Sequence, residues 1–130
     1  MLCWIFGGVT DNRVHLHTKD SAAGYLELER ARVRWFLSID YANIPDEIKE
    51  KGQRTYRSIE VDGNAIEFST GFTELHTESY KGILRGEGYG LVDARPSIEI
   101  IHDVREAEIV SLKGDYHPFL KKPTLEKQYA

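Results

Sequence analysis

The sequence has a single cysteine, little net charge and no long apolar run, and each absence excludes a class of protein. Cys3 has no partner for an internal disulfide, which favours a reducing compartment such as the cytoplasm. No run approaches the roughly 18 apolar residues that a membrane-spanning helix requires, so we expect no membrane partner. The net charge of −4 lacks the basic excess of a general nucleic-acid binder, and we expect no nucleic-acid partner.

The length and composition of the chain are those of one globular domain. The chain has 130 residues, of which 41% are hydrophobic and 29% charged, an ordinary balance for a domain with a core. Residues 1–6 are all apolar but lack the basic residues and cleavage site of a signal peptide. Followed by Gly7 and Gly8, they predict the last turns of a helix with a glycine cap. Since no capping signal begins this helix, we expect it to be truncated and the chain to be a piece of a longer protein. The alternative is a short N-terminal helix packed on the sheet.

The stretch 22–40 predicts a central β-hairpin. With a two-residue turn at 30–31, Tyr25 lies opposite Phe36. Side chains alternate across a strand, so one face of this hairpin is apolar and the other carries charges and aromatic rings. Arg-Ala is not a favoured two-residue turn, so a longer turn with offset pairing is the alternative.

The polar face of this hairpin is the predicted interface. Aromatic residues and arginine are enriched at protein–protein contacts, and rings placed between charges suit neither a core nor an ordinary solvated surface. Packing of this face against a second copy would give a homodimer or a tetramer. The alternative is a solvated face whose surface ion pairs contribute little each. The predicted interface residues are Tyr25, Glu27, Glu29, Arg32, Arg34 and Phe36.

Residues 9–18 predict a strand before the hairpin. By alternation, Val14 and Leu16 share one face, and His15 and His17 share the other. Two imidazoles on one strand face resemble part of a metal site, but no third ligand stands at a suitable spacing. We therefore predict no metal at these histidines.

A second hairpin is predicted at residues 56–68. Its turn is Asp62-Gly63, a strong local signal, because both central residues of a type I′ turn need positive φ. Ile59 then lies opposite Ile66. With about five strands joined by short connections, the sheet should be largely antiparallel.

The remaining segments predict helices. The polar stretch 41–54 predicts a short helix or a surface loop. Residues 72–85 predict one helix, and Asp93 caps another that tolerates Pro96 in its first turn. The buried stripe of that last helix is predicted as Ile98, Ile101 and Val104.

These elements predict an α+β fold with two layers. An open, largely antiparallel β-sheet would carry two helices packed on its apolar face. We divide the chain into the end of a truncated helix at 1–8, a sheet-plus-helices domain at 9–107 and a tail at 108–130.

No motif by itself identifies a reaction. The glycine run 86–90 follows a predicted helix rather than a strand, so it is not a dinucleotide fingerprint. No serine or cysteine stands in a nucleophile elbow, and we assign no catalytic or cofactor-binding residue. His76 and Tyr80 lie one helical turn apart and could contact a substrate, although a partly buried histidine packed against a tyrosine is the commoner explanation.

Four stretches together resemble one known family: 25–40 (YLELERARVRWFLSID), 56–63 (YRSIEVDG), 71–80 (GFTELHTESY) and 90–100 (GLVDARPSIEI). They are similar to the C-terminal domain of Gfo/Idh/MocA-type oxidoreductases. Within that family, the similarity points to the UDP-N-acetyl-2-amino-2-deoxy-glucuronate dehydrogenases of lipopolysaccharide synthesis. It covers about residues 1–105 in the right order, and it is specific through length rather than through a catalytic motif.

The resemblance implies a function that this chain would carry out only in part. In the family, an N-terminal Rossmann domain binds NAD, and a Lys-Pro motif with an Asp/His pair oxidises a sugar hydroxyl. The stretch 1–6 is similar to the helix that follows the catalytic histidine. The resemblance thus implies NAD for the full-length protein, no cofactor in this fragment, and a domain that walls the cleft for a UDP-sugar and joins subunits.

We therefore predict the substrate-side and oligomerisation domain of an NAD-dependent nucleotide-sugar dehydrogenase, inactive as an isolated fragment. The substrate contacts would be Arg34, His76 and Tyr80. The alternative is a stand-alone small α+β module that binds a ligand or only assembles with itself.

Overall fold

The computed structural model describes residues 1–70 and 73–121. The chain divides into two compact units. The first unit combines Met1–Ile39 with the chain from Leu91 onward, and the second is Asp40–Gly90. The central hairpin and the helix that begins at Leu91 therefore belong to the same unit, although about fifty residues separate them along the chain.

The first unit is a three-stranded antiparallel sheet with helices at both ends of its sequence. The strands lie in the order β1-β2-β3. A short 3₁₀ turn, Pro118–Lys121, ends the described part. The elements are α1 (Leu2–Phe6), β1 (Val9–His17), β2 (Ser21–Leu28), β3 (Ala31–Ser38) and α4 (Leu91–Glu106).

The second unit holds a two-stranded sheet and two helices. It opens with a 3₁₀ turn at Tyr41–Asn43, in which the Asp40 carboxylate accepts a hydrogen bond from the Ala42 amide. The elements are α2 (Asp46–Glu50), β4 (Ser58–Val61), β5 (Asn64–Glu67) and α3 (Leu75–Leu84).

The α+β class and the antiparallel pairing are confirmed, but the strands form two sheets of three and two strands. Of the two predicted covering helices, α4 packs against β1. The other helix, α3, belongs to the second unit. It begins at Leu75 rather than at residue 72, and the predicted start at Phe72 lies outside the described residues.

The predicted register of the central hairpin is wrong by two residues. The turn lies at Glu29 and Arg30, so Tyr25 pairs with Arg34 rather than with Phe36. A slip of two keeps every side chain on its predicted face, because the strand period is two. The turn is set by contacts with the end of α1: the Glu29 amide donates to the Gly8 carbonyl at 3.1 Å and the Arg30 amide to the Phe6 carbonyl at 3.0 Å.

Helix α1 ends as the glycine pair predicts. Gly7 lies at φ 91°, where its amide donates to the Cys3 carbonyl. A Cβ at Gly7 would collide with the Glu29 side chain, so this glycine also permits the close approach of the helix end to the hairpin turn.

Strand β1 departs from simple alternation. Its pairing with β2 shifts between Val9 and Asp11 and again between Val14 and Leu16. Such irregularities are β-bulges, which change the face that following side chains occupy. Val14 and Leu16 are both buried but do not share a face, and His15 is buried whereas His17 is exposed. The shared faces predicted for residues 14 to 17 are therefore wrong.

Helix α4 begins two residues before the predicted cap and turns a different face inward. Ile98 and Ile101 are 63% and 60% exposed, so two members of the predicted stripe are wrong. The partly buried positions follow one another at helical spacing as Ser97, Ile100, Val104 and Ala107. The stripe was misjudged because α4 carries isoleucines on two faces.

Two predictions for the second unit are confirmed. Hairpin β4–β5 pairs Ile59 with Ile66, as predicted. Asp62 and Gly63 have φ values of 50° and 80°, which is the positive φ that the turn signal requires. The short-helix alternative for 41–54 is confirmed by α2, whose Ile48 is buried.

Residues 109–121, in the described part of the predicted tail, pack on the sheet. We call Ile109–Lys121 the covering segment. Ile109 forms a parallel bridge with Val14, and the Val110 amide donates to the Val14 carbonyl at 2.8 Å. Leu120 is buried in one cluster with Leu16 and Ala23. The polar face of the hairpin therefore acquires a cover from the same chain.

Candidate functional site

The covering segment meets the polar face of the hairpin through aromatic rings. Phe36 of β3 lies 5.3 Å from the Phe119 ring and 5.7 Å from the His117 ring, measured between centroids. His117 and Phe119 are themselves edge to face at 5.0 Å. Such tilted and edge-to-face pairs are the favoured geometries for aromatic contacts, so the segment is held by packing as well as by its backbone bridge.

His15 is enclosed between the sheet and the covering segment. Its protonated Nδ1 donates to the Val110 carbonyl oxygen at 3.3 Å, and the Tyr116 ring stands edge-on at 6.2 Å. Its Nε2 is buried and has no hydrogen-bond partner among residues 1–70 and 73–121. The bulge in β1 is what directs this imidazole inward.

Tyr25 is the buried polar group at the centre of the same face. Its side chain is 4% exposed, and its hydroxyl donates to Glu27 Oε2 at 3.3 Å. Burial raises the pKa of the Tyr25 phenol, and the nearby Glu27 carboxylate raises it further. The Arg13 guanidinium lies 5.4 Å above the ring and pairs with Asp11 at 2.6 Å. Burial and the Glu27 carboxylate, which both raise the pKa, favour the protonated phenol, and in this form it donates a hydrogen bond.

The predicted interface residues fall into two groups in the structure. Tyr25 is buried, and Glu27 and Phe36 are partly buried. The covering segment contributes the rings that lie against Phe36. The exposed group is Glu29, Arg32 and Arg34. In the observed register Arg32 lies opposite Glu27, and Arg34 lies opposite Tyr25.

The predicted substrate contacts are all exposed. Arg34 lies on β3 in the first unit. His76 and Tyr80 lie one turn apart on α3 in the second unit, and Tyr80 is 67% exposed. His76 and Tyr80 therefore are not packed in a core of the described residues, which is the alternative explanation of their spacing.

Sequence reasoning missed the junction between α1 and the hairpin turn. Arg30 donates from its guanidinium to the Ile5 carbonyl at 2.6 Å, which satisfies one of the free carbonyls at the helix end. The available signal was the Gly7-Gly8 pair, which was assigned only a capping role. Sequence reasoning also missed the His15 and Tyr116 contact, since nothing local links positions about a hundred residues apart.

Neither a metal site nor a membrane span is found in the part of the chain that the structure describes. No three His, Cys, Asp or Glu side chains come together there as ligands. No helix among those residues has the length and apolar composition to cross a membrane.

Two solved structures of one bacterial enzyme are similar to this chain. The WlbA (WbpB) dehydrogenase from Thermus thermophilus in complex with NAD and alpha-ketoglutarate is 49% identical, with a TM-score of 0.87. The same dehydrogenase in complex with NAD and UDP-GlcNAcA is 48% identical, with a TM-score of 0.86. No protein-family profile matches the chain.

The chain is a relative of the WlbA dehydrogenases. The similarity covers 92% of this chain, which confirms the resemblance to a nucleotide-sugar dehydrogenase that the four stretches indicated. It covers only 39% and 38% of the two WlbA chains. This chain therefore spans less than half the length of the WlbA enzymes that it matches.

Proposed function

We propose that this chain is the C-terminal, substrate-side and oligomerisation domain of an NAD-dependent nucleotide-sugar dehydrogenase of the Gfo/Idh/MocA type. The parent enzyme would work in the cytoplasm in lipopolysaccharide or O-antigen synthesis. One observation carries the proposal: nearly half of the aligned residues are identical to a dehydrogenase whose structure holds NAD and UDP-GlcNAcA. Identity at this level along 92% of the chain supports a shared role for the domain.

NAD would be bound by another part of the parent protein. A dinucleotide site places a glycine-rich turn between a strand and a helix, where the helix N-terminus meets the pyrophosphate. In this chain the glycines at 86–90 connect α3 to α4, so these residues do not fit a dinucleotide. Hydride transfer also needs a general base and the nicotinamide itself. We therefore propose no catalytic role for the residues of this chain.

The role left to this domain is to bind and orient the sugar nucleotide. A UDP-sugar uronate carries negative charge on its diphosphate and its carboxylate, and arginine offers the planar donors that such groups accept. Arg34 is exposed and available for this contact. His76 and Tyr80 add a ring donor and a hydroxyl on one face of α3. These three residues are our proposed substrate contacts.

The second part of the role is assembly with further copies. The predicted homodimer or tetramer would use the polar face of the hairpin, whose exposed residues are Glu29, Arg32 and Arg34. Tyr25 and Phe36 would contribute by holding that face in shape, because the covering segment lies over them.

The proposal is tested with two proteins assayed side by side for NADH formation from NAD and UDP-GlcNAcA. The first is this 130-residue chain alone, for which we expect no turnover. The second is the Thermus thermophilus WlbA dehydrogenase with its matching region replaced by this chain, for which we expect turnover. In that chimera His76→Ala and Tyr80→Ala should each raise KM more than about twofold, whereas Thr77→Ala, at an exposed position between them, should not.

Each arm can contradict a separate claim. NADH formation by the isolated chain would show that it is a complete enzyme. A folded chimera that binds NAD but does not turn over would contradict the assignment as the equivalent domain. Unchanged KM values in the His76 and Tyr80 variants would remove only those two residues from the substrate site.

A further inference from the structure

The turn of hairpin β4–β5 carries a reactive pair of residues. Asp62-Gly63 is the one Asp-Gly sequence in the chain, and the chain has no Asn-Gly. The carboxyl of an aspartate can be attacked by the backbone nitrogen of the next residue, and a glycine leaves that nitrogen unshielded because it has no Cβ. Both residues are exposed, and a Cβ built at Gly63 would meet nothing within 4 Å. The turn is therefore free to rearrange.

The peptide that joins Asp62 to Gly63 is weakly held. The strand pairing ends at Val61 and Asn64, and within the described residues the Gly63 amide donates no hydrogen bond. The Asp62 carboxylate has no ion-pair partner there either. The Asp62 carbonyl accepts one long hydrogen bond, from Asn64 Nδ2 at 3.4 Å. That contact withdraws electron density from the peptide, which makes the Gly63 N–H easier to deprotonate.

Rotation of this peptide brings the reacting atoms together. Asp62 and Gly63 lie at φ 50° and 80°, as in a type I′ turn. Turning over the one peptide plane between them changes only ψ of Asp62 and φ of Gly63, and gives a type II′ turn, which two-residue hairpins also favour. Gly63 accepts either sign of φ. In the rotated form the Gly63 nitrogen eclipses the Asp62 Cβ, which is the arrangement that closure of a five-membered ring needs.

Asp20-Ser21 shows the opposite situation and provides an internal control. The Ser21 amide donates to the Thr18 hydroxyl at 3.0 Å, and the Asp20 carbonyl accepts from the Ile39 amide at 2.9 Å. Ser21 is buried as well. Both ends of that peptide are fixed, so it cannot rotate without breaking two hydrogen bonds at a buried position.

We propose that Asp62 is a site of spontaneous isoaspartate formation in the folded protein, and that the isomer loses the register of hairpin β4–β5. The Gly63 nitrogen attacks Cγ of the protonated Asp62 carboxyl. The N–Cγ bond forms, the Cγ–OH bond breaks, and the hydroxyl leaves with the amide proton as water. Solvent water then opens the cyclic imide. Opening at the main-chain carbonyl breaks its bond to the Gly63 nitrogen and leaves Gly63 linked through Cγ, so the product has unchanged mass.

The isomer has a longer turn. Its main chain runs through Cβ and Cγ of residue 62, which adds one atom to a two-residue connection. Because the turn sets the register of such a hairpin, the pairing of Ile59 with Ile66 should be lost. The inference does not depend on the dehydrogenase assignment.

Incubation of the unmodified chain in water enriched in the heavy isotope of oxygen measures the reaction, because each ring opening adds one labelled atom to residue 62. Peptide mapping by mass spectrometry compares the native chain with the chain unfolded in urea. Folding should leave Asp62 at least about a third of its unfolded rate, and should lower the rate at Asp20 at least about tenfold. The proposal is overturned if no label enters residue 62, or if folding slows Asp62 as much as Asp20.

Two variants at the same position should move the rate in opposite directions. Asp62→Glu would have to close a six-membered ring, which forms more slowly, so labelling at residue 62 should disappear. Asp62→Asn keeps a favoured turn sequence and loses ammonia in place of water, so it should react faster and gain isoaspartate. Labelling that is equal in all three proteins would overturn the proposal.

Hydrogen–deuterium exchange of an aged sample tests the loss of register. The Phe68 amide bonds to the Arg57 carbonyl. It should show a fast-exchanging population equal to the isoaspartate fraction found by fragmentation of the peptide that contains residue 62. Uniformly slow exchange in a sample that contains isoaspartate would overturn the claim that the isomer loses the hairpin register.

Discussion

The two hairpins of this protein are both antiparallel, but their registers are specified differently. Hairpin β4–β5 has a turn whose residues, Asp62 and Gly63, both adopt positive φ. Its register follows from that turn alone, and Ile59 pairs with Ile66 as predicted. Hairpin β2–β3 turns at Glu29 and Arg30, neither of which has positive φ. Its register differs by two residues from the prediction.

The difference shows where each hairpin obtains its register. The turn of β4–β5 carries its own conformational signal, and all eight residues of its strands except Ile59 are exposed. In β2–β3, six of the eight residues of β2 are buried, and the turn amides bond to the end of α1. One hairpin is specified by local turn chemistry, and the other by what packs around it.

The largest expected effect is on the free energy of unfolding, because the side chains of the two hairpins differ in burial. Leu28→Ala in β2 removes a side chain that is 4% exposed. We expect the free energy of unfolding to fall by about 2–5 kcal/mol, because the lost apolar contacts leave a cavity. Ile66→Ala in β5, at a residue 57% exposed, should change it by no more than about 0.5 kcal/mol. Urea unfolding followed by circular dichroism measures both, and equal losses would contradict the comparison.

A smaller effect on stability is expected from substitutions in the two turns. Gly63→Ala places a Cβ at φ 80°, which costs roughly 1–2 kcal/mol for an L-residue. Amide exchange of Phe68, whose N–H bonds to the Arg57 carbonyl, should accelerate accordingly. Arg30→Ala in the other turn creates no such strain and removes only one hydrogen bond, to Ile5, worth about 0.5–1.5 kcal/mol. A Gly63→Ala variant without faster exchange at Phe68 would show that the turn does not specify β4–β5.

The smallest effect is a pH dependence confined to the buried hairpin. Folding raises the pKa of Tyr25 above its ordinary value of 10.0. Above that pH the unfolded chain loses the proton first, so stability is complete below about pH 10 and falls as pH rises through the folded-state pKa. Tyr25→Phe should flatten this decline in chemical unfolding series, whereas Tyr80→Phe, at a residue 67% exposed, should not. An identical decline in the Tyr25→Phe variant would show that another group causes it.

The candidate site was predictable only as far as its residues have local signals. Alternation placed Tyr25, Arg34 and Phe36 on one face of the hairpin, and a shift of two residues leaves that placement intact. Alternation could not show that His117 and Phe119 would lie against Phe36. For the same reason it assigned His15 and His17 to one face, since a bulge leaves no clear mark in the sequence.

The sequence alone established the kinds of element and their order. Periods of two and of 3.6 residues, a turn that needs positive φ, and a glycine cap act over a few neighbours, and each is legible in the residues themselves. Tertiary contacts determined which face of the central hairpin is covered, which side of α4 turns inward and where the central hairpin turns. Those outcomes depend on contacts such as that of His15 with Val110, 95 residues away. Long-range contacts of this kind select among local patterns that are compatible with more than one packing.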